Sequence, residues 1–137
     1  MATSQSVIGS AVVNGSVNIP LNLFCTDDPS WVYSEVFCTE MALPPTEEQM
    51  GKIFRISPIS KAQSVNVPVF IAAGGNDQCV SPHSSIGYYK ILKSLGKDVK
   101  MFLYEKDGHS IATRASSYDL SVNVIKWMEE VVLAKNN

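Results

Sequence analysis

Apolar and polar positions alternate between two rhythms along the second half of the chain. Val67-Pro68-Val69-Phe70-Ile71-Ala72-Ala73 is short, rich in β-branched residues and free of charge, which predicts a strand buried on both faces. It breaks at Gly74-Gly75-Asn76-Asp77, where the glycines permit a tight turn and leave a carboxylate at the strand's C-terminal end. Ser81 and Pro82 then open a helix with Ile86, Tyr89, Leu92 and Leu95 on one face, closed by Gly96. A second strand, Val99 to Tyr104, carries Lys100 among apolar residues, which places it at or near a sheet edge. It runs into Glu105-Lys106-Asp107-Gly108-His109. A last helix, from about Ser116 to Lys135, sets Leu120, Val124, Trp127 and Val131 on one stripe and turns Glu129 and Glu130 to solvent.

The first half is less regular. Ala11-Val12-Val13 reads as a short strand ended by Asn14-Gly15, weakened by Gly9 and its serines. Ser16 to Asn22 is irregular, with Pro20 as a breaker. Asp27 or Asp28 can cap a helix that has Pro29 in its first turn and Trp31, Glu35 and Cys38 at helical spacing. Thr46 then caps a second helix with acids in its first turn, leading to Met50, Ile53 and Phe54. Residues 27–55 thus form a helical insertion whose side chains mostly pack, near loops that could border a pocket. Residues 57–137 form a β-α-β-α unit, which implies a right-handed crossover and parallel strands with helices on both faces. Three strands are few for such a sheet, and it would continue on the side that precedes Ala11. The chain reads as the back half of a larger α/β domain.

Composition narrows the function classes. A chain of 137 residues with 45% apolar and 18% charged residues can bury a core and is not a disordered segment. A net charge of −2 with scattered lysines gives no electrostatic reason for a nucleic-acid or anionic-lipid partner. Cys25, Cys38 and Cys79 form no CxxC pair and have only two histidines to share, so no metal or other cofactor is expected. An odd cysteine count fits a reducing compartment. The first residues lack a basic segment followed by a long apolar one, and no apolar run is long enough to span a bilayer. A cytoplasmic location is the expectation.

Asp77 and His109 carry the chemistry. Both fall on loops at the C-terminal ends of consecutive parallel strands, the edge where α/β sheets build their sites. An imidazole works as a general base when a carboxylate on its other nitrogen holds one tautomer and stabilises the imidazolium. The order acid then histidine, across one α-β unit, is the back half of the Ser…Asp…His order of α/β-hydrolases. A surface aspartate and an unrelated loop histidine remain the plain alternative. The other candidates fail. The carboxylate near Cys79 opposes thiolate formation. Ser110 is His109's own neighbour, and adjacent loop side chains point apart. His83 sits at a helix start, where positive charge is disfavoured, and reads as surface. Tyr88, Tyr89 and Trp127 read as core. Gly74-Gly75 has no GxGxxG or Walker pattern around it.

From about Ser57 onward the chain resembles the catalytic domain of the prolyl oligopeptidase family of serine peptidases, and most of all its acylaminoacyl-peptidase branch. The resemblance rests on Ser57-Pro58-Ile59, Val67-Pro68-Val69, Gly74 or Gly75, Asp77 with Val80, Tyr88-Tyr89, Gly108-His109 and Trp127. A looser similarity covers Asn14 to Trp31, with Ile19-Pro20 and Pro29-Ser30-Trp31. It implies the C-terminal half of an α/β-hydrolase fold. It implies Asp77 as the triad acid, His109 as the base, and a short N-acylated peptide as substrate. The family's nucleophile lies in a Gly-x-Ser-x-Gly elbow, and no such motif occurs in this sequence; neither Ser10 nor Ser16 has both glycines. The 137 residues alone are therefore expected to be inactive. Two accounts of the missing elbow stay open: a longer polypeptide that supplies it, or a truncated non-catalytic binding or assembly module that self-associates through the open sheet edge near Ala11.

Overall fold

The computed structural model describes residues 11–14, 22, 25, 30, 33, 34 and 44–135. Three strands, β1 (Ala11–Asn14), β2 (Val69–Gly74) and β3 (Val99–Tyr104), form one sheet in the order β1-β2-β3. Both pairings are parallel: Ala11 stands opposite Val69, and Val69 opposite Val99. The helices are α1 (Glu47–Ile56), a 3-10 helix (Pro58–Ser64), α2 (Pro82–Ser94) and α3 (Arg114–Lys135). No helix among the described residues is long and apolar enough to cross a membrane.

Every residue of β2 is buried, as a charge-free strand between two neighbours must be. The strand starts at Val69 rather than Val67 because Pro68 has no N–H to give the ladder; the first bond comes from the Val69 N–H to the Asp98 carbonyl, 2.9 Å. Alternation splits the core into two layers. Val69, Ile71 and Val99 face Ala62, Tyr88 and Leu92, so α2 and the 3-10 helix cover one side. Phe70 and Ala72 face Trp127, with Leu120, Val124 and Val131 of α3 packed around them on the other. Phe70 stacks on Phe102 at 5.1 Å and meets Trp127 at 5.5 Å. Burying each of these large side chains contributes roughly 1.5–3 kcal/mol.

Local chemistry explains the helix ends. Thr46 and Gln49 form a capping box: the Gln49 N–H donates to Thr46 Oγ1 at 3.3 Å and the Thr46 N–H to Gln49 Oε1 at 2.8 Å. Ile53 of α1 is buried, while Phe54 is exposed. Helix α2 ends in a Schellman motif. Gly96 adopts φ 69°, its N–H reaching Lys93 O and the Lys97 N–H reaching Leu92 O, both at 3.0 Å. Leu95, expected on the buried face, is the C-cap and is exposed; Ser84, Ser85, Tyr88 and Leu92 form the buried stripe instead. Two serines on that stripe hid it from an apolar count. Helix α3 begins at Arg114, two residues before the expected start.

Lys100, the charge that pointed to an edge or near-edge strand, lies on β3, the last strand of the sheet among the described residues, and pairs with Glu130 of α3. Of the expected helical insertion, Ser30, Tyr33 and Ser34 are helical and α1 is complete. Trp31, Glu35, Cys38 and the irregular stretch around Pro20 lie outside the described residues.

Candidate active site

Two loops leave the same edge of the sheet, one after β2 and one after β3. Backbone bonds lace them together beyond the strands. The Gly75 N–H donates to Tyr104 O at 2.9 Å, the Asn76 N–H to Asp107 O at 3.0 Å, and the Asp107 N–H to Tyr104 O at 3.0 Å. The contact is close enough to exclude side chains. A Cβ on Gly74 would lie 2.0 Å from Gly108 O and 2.6 Å from Asp107 O, and one on Gly75 would lie 2.7 Å from the Glu105 Cα. The chain turns at Gly75 and Asn76, as the glycines suggested, but without a positive φ, which among the described residues belongs to Gly96. Gly74 and Gly75 serve close approach between the loops.

That approach brings the two sequence candidates into contact. Asp77 Oδ2 and His109 Nδ1 are 3.0 Å apart. The other carboxylate oxygen, Oδ1, accepts the Val80 N–H at 2.8 Å, so the turn into α2 fixes the carboxylate's orientation. An ionised carboxylate only accepts, so a hydrogen bond across this contact requires the proton on Nδ1, and a neutral ring then has its lone pair on Nε2. The Asp77 side chain is 3% exposed and that of His109 is 50% exposed. The acid is shielded and the ring is accessible, an arrangement suited to taking a proton from a group outside the pair and returning it. The remaining sequence candidates stay apart from this contact: Cys79 is exposed, and His83 is exposed at the start of α2 with Nδ1 3.4 Å from Ser81 Oγ.

Two residues at the site carried no assignment from sequence. Asp107 is buried, its Oδ1 accepting the Ala112 and Thr113 N–H groups at 3.2 and 3.0 Å, with Thr113 Oγ1 3.3 Å from Oδ2. The available signal was an aspartate a few residues ahead of a threonine that opens a helix. Tyr104, the last residue of β3, donates from its hydroxyl to Asp119 of α3 at 2.9 Å. Burial first, then this bond, push its phenol up to about 12, so it remains a neutral donor.

The nearby Ser116 side chain first, then the hydrogen bond from the Thr113 N–H, hold the Asp107 carboxyl below its ordinary 3.8. A folded value below the unfolded one gives stability that is complete above the unfolded value. That stability is lost as pH falls through the folded value. In urea titrations at about pH 6 and about pH 3, Asp107→Asn is expected to lose less stability on acidification than the parent. Equal losses would mean that the charge contributes nothing.

Residues 22–135 match the prolyl oligopeptidase family. The chain is 24% identical over 125 residues to the acylamino-acid-releasing enzyme of Arabidopsis thaliana, an alignment covering 90% of this chain. It is 27% identical over 118 residues to that of Sus scrofa, covering 85%. The chain spans 16% of the length of each relative. Among solved structures, Pyrococcus horikoshii acylaminoacyl peptidase superposes with a TM-score of 0.64 at 22% identity, over 82% of this chain and 18% of that one. A similar fold, with a TM-score of 0.63 and 21% identity, is that of an acylaminoacyl peptidase in complex with Z-Gly-Gly-Phe-chloromethyl ketone, over 81% of this chain and 17% of that one.

Proposed function

The chain belongs to the prolyl oligopeptidase family, with the parallel, doubly covered sheet of a partial α/β-hydrolase fold, and we propose that Asp77 and His109 are the acid and base of a serine-type peptidase. The observation that carries the reading is the 3.0 Å contact between Asp77 Oδ2 and the accessible ring of His109. In this scheme His109 Nε2 takes the proton of a serine hydroxyl as the serine attacks the scissile carbonyl. The protonated ring then gives that proton to the leaving amine. Asp77 holds the tautomer and stabilises the imidazolium between the two transfers. The relatives are named for releasing acylated amino acids, which supports a short peptide with an acylated first residue as substrate.

The serine comes from outside these 137 residues, because the sequence holds no Gly-x-Ser-x-Gly elbow. The outer edge of β1, which pairs with no further strand among the described residues, is where the remainder of the sheet would join. The purified 137-residue chain is expected to give no covalent adduct with a serine-directed fluorophosphonate probe, read by intact mass. A polypeptide that also carries the upstream elbow is expected to label. Stoichiometric labelling of the short chain would overturn this assignment of the nucleophile.

A further inference from the structure

We infer that Asp107 is a positioning residue for the acid–base pair, holding both functional loops at once so that Asp77 and His109 stay within bonding distance. The inference rests on the proposed roles of those two residues. The Asp107 carboxylate ties down the chain on the far side of His109, through the N–H groups of Ala112 and Thr113 and the Thr113 hydroxyl. The loop from 107 to 113, with His109 inside it, is thereby closed by one buried side chain. The Asp107 main chain grips the other loop: its carbonyl accepts the N–H of Asn76, the residue before Asp77. Its own N–H is anchored on Tyr104 at the end of β3.

His109 depends on such an anchor. A ring with half its surface in solvent gains little orientation from packing, so the position of its backbone decides whether Nδ1 reaches Asp77. Gly108 beside it is no constraint, since a Cβ there would meet nothing nearer than Asn76 O at 3.7 Å. The Tyr104–Asp119 bond also fastens β3 to α3, but it holds neither the Asp77 loop nor the stretch around His109. Among these anchors Asp107 joins the two loops.

The test is the tautomer of His109, read from imidazole nitrogen shifts of the 137-residue chain at a pH where the ring is neutral. The parent is expected to show mainly the Nδ1-protonated form. Asp107→Ala is expected to lower the ratio of that form to the other about fivefold, the size of one net hydrogen bond. Asp107→Asn, which keeps an acceptor for both N–H groups, is expected to retain the parental ratio. Tryptophan fluorescence, from Trp31 and Trp127, and the dispersion of the amide spectrum report whether each variant is folded. If Asp107→Ala does not fold, Thr113→Val, which removes the hydroxyl's contacts with Asp107 and with Ser116 but keeps the Thr113 N–H on Asp107, is expected to show a smaller loss in the same direction. A folded Asp107→Ala or, in its place, Thr113→Val with the parental ratio overturns the inference. A parent without the Nδ1-protonated form overturns the acid–base reading itself.

Discussion

Alanine at His109, in a polypeptide that also carries the serine elbow, is expected to lower turnover of an N-acylated peptide on the order of 10⁶-fold. The size follows from the way such residues act as a unit. Without the imidazole the serine keeps its proton, and the leaving amine has no donor. Asparagine at Asp77 is expected to cost less, about 10⁴-fold. Its amide can occupy the same space, but it favours the tautomer that leaves no lone pair on Nε2. Binding is expected to be spared in both, so KM changes little while kcat falls. Steady-state kinetics on an acyl-peptide chromogenic substrate separate the two constants. Turnover close to the parent's in His109→Ala would remove this histidine from the chemistry.

Gly74→Ala is expected to destabilise the fold by about 3 kcal/mol. The added Cβ would fall 2.0 Å from Gly108 O, 2.6 Å from Asp107 O and 2.8 Å from the Gly108 carbonyl carbon. All three are backbone atoms, so no flexible side chain can swing aside, and the loops must separate. Separation strains the bond from the Asn76 N–H to the Asp107 carbonyl, which joins the loops that carry Asp77 and His109. Two controls give the contrast. Gly108→Ala meets its nearest neighbour at an ordinary 3.7 Å and is expected to leave stability nearly unchanged. Gly96→Ala meets no atom within 4 Å but sits at φ 69°, so its cost is conformational, about 1 kcal/mol. Urea midpoints of the three variants order these effects. A Gly74→Ala midpoint equal to that of Gly108→Ala would mean that the loops part without cost.

Much of the scaffold was legible because it is specified locally. β3 spans Val99–Tyr104 as the pattern predicts, and it ends the sheet among the described residues, in keeping with the edge or near-edge place that Lys100 suggested. Thr46 caps α1, and the stripe of Leu120, Val124, Trp127 and Val131 packs on the sheet. In each case the signal is a period or a cap that depends on residues within a turn or two. Where a signal needed a neighbour from elsewhere in the chain, the reading slipped. Leu95 looked like core by spacing, but its helix ends before it. Pro68 looked like strand by composition, but the ladder starts after it.

The sequence by itself determined the order of elements, the two-sided burial of β2, and the placement of Asp77 and His109 at the ends of neighbouring strands. Strand period, turn glycines and parallel topology are enough for that, since successive parallel strands must end at the same edge. Tertiary structure alone decided that the two side chains touch, with one oxygen of Asp77 on His109 and the other on Val80. It alone gave Asp107 its place between the loops and gave Gly74 a reason unrelated to its own dihedral angles. These features depend on contacts between residues far apart in sequence, and a partner across a fold leaves no period in the chain that makes it.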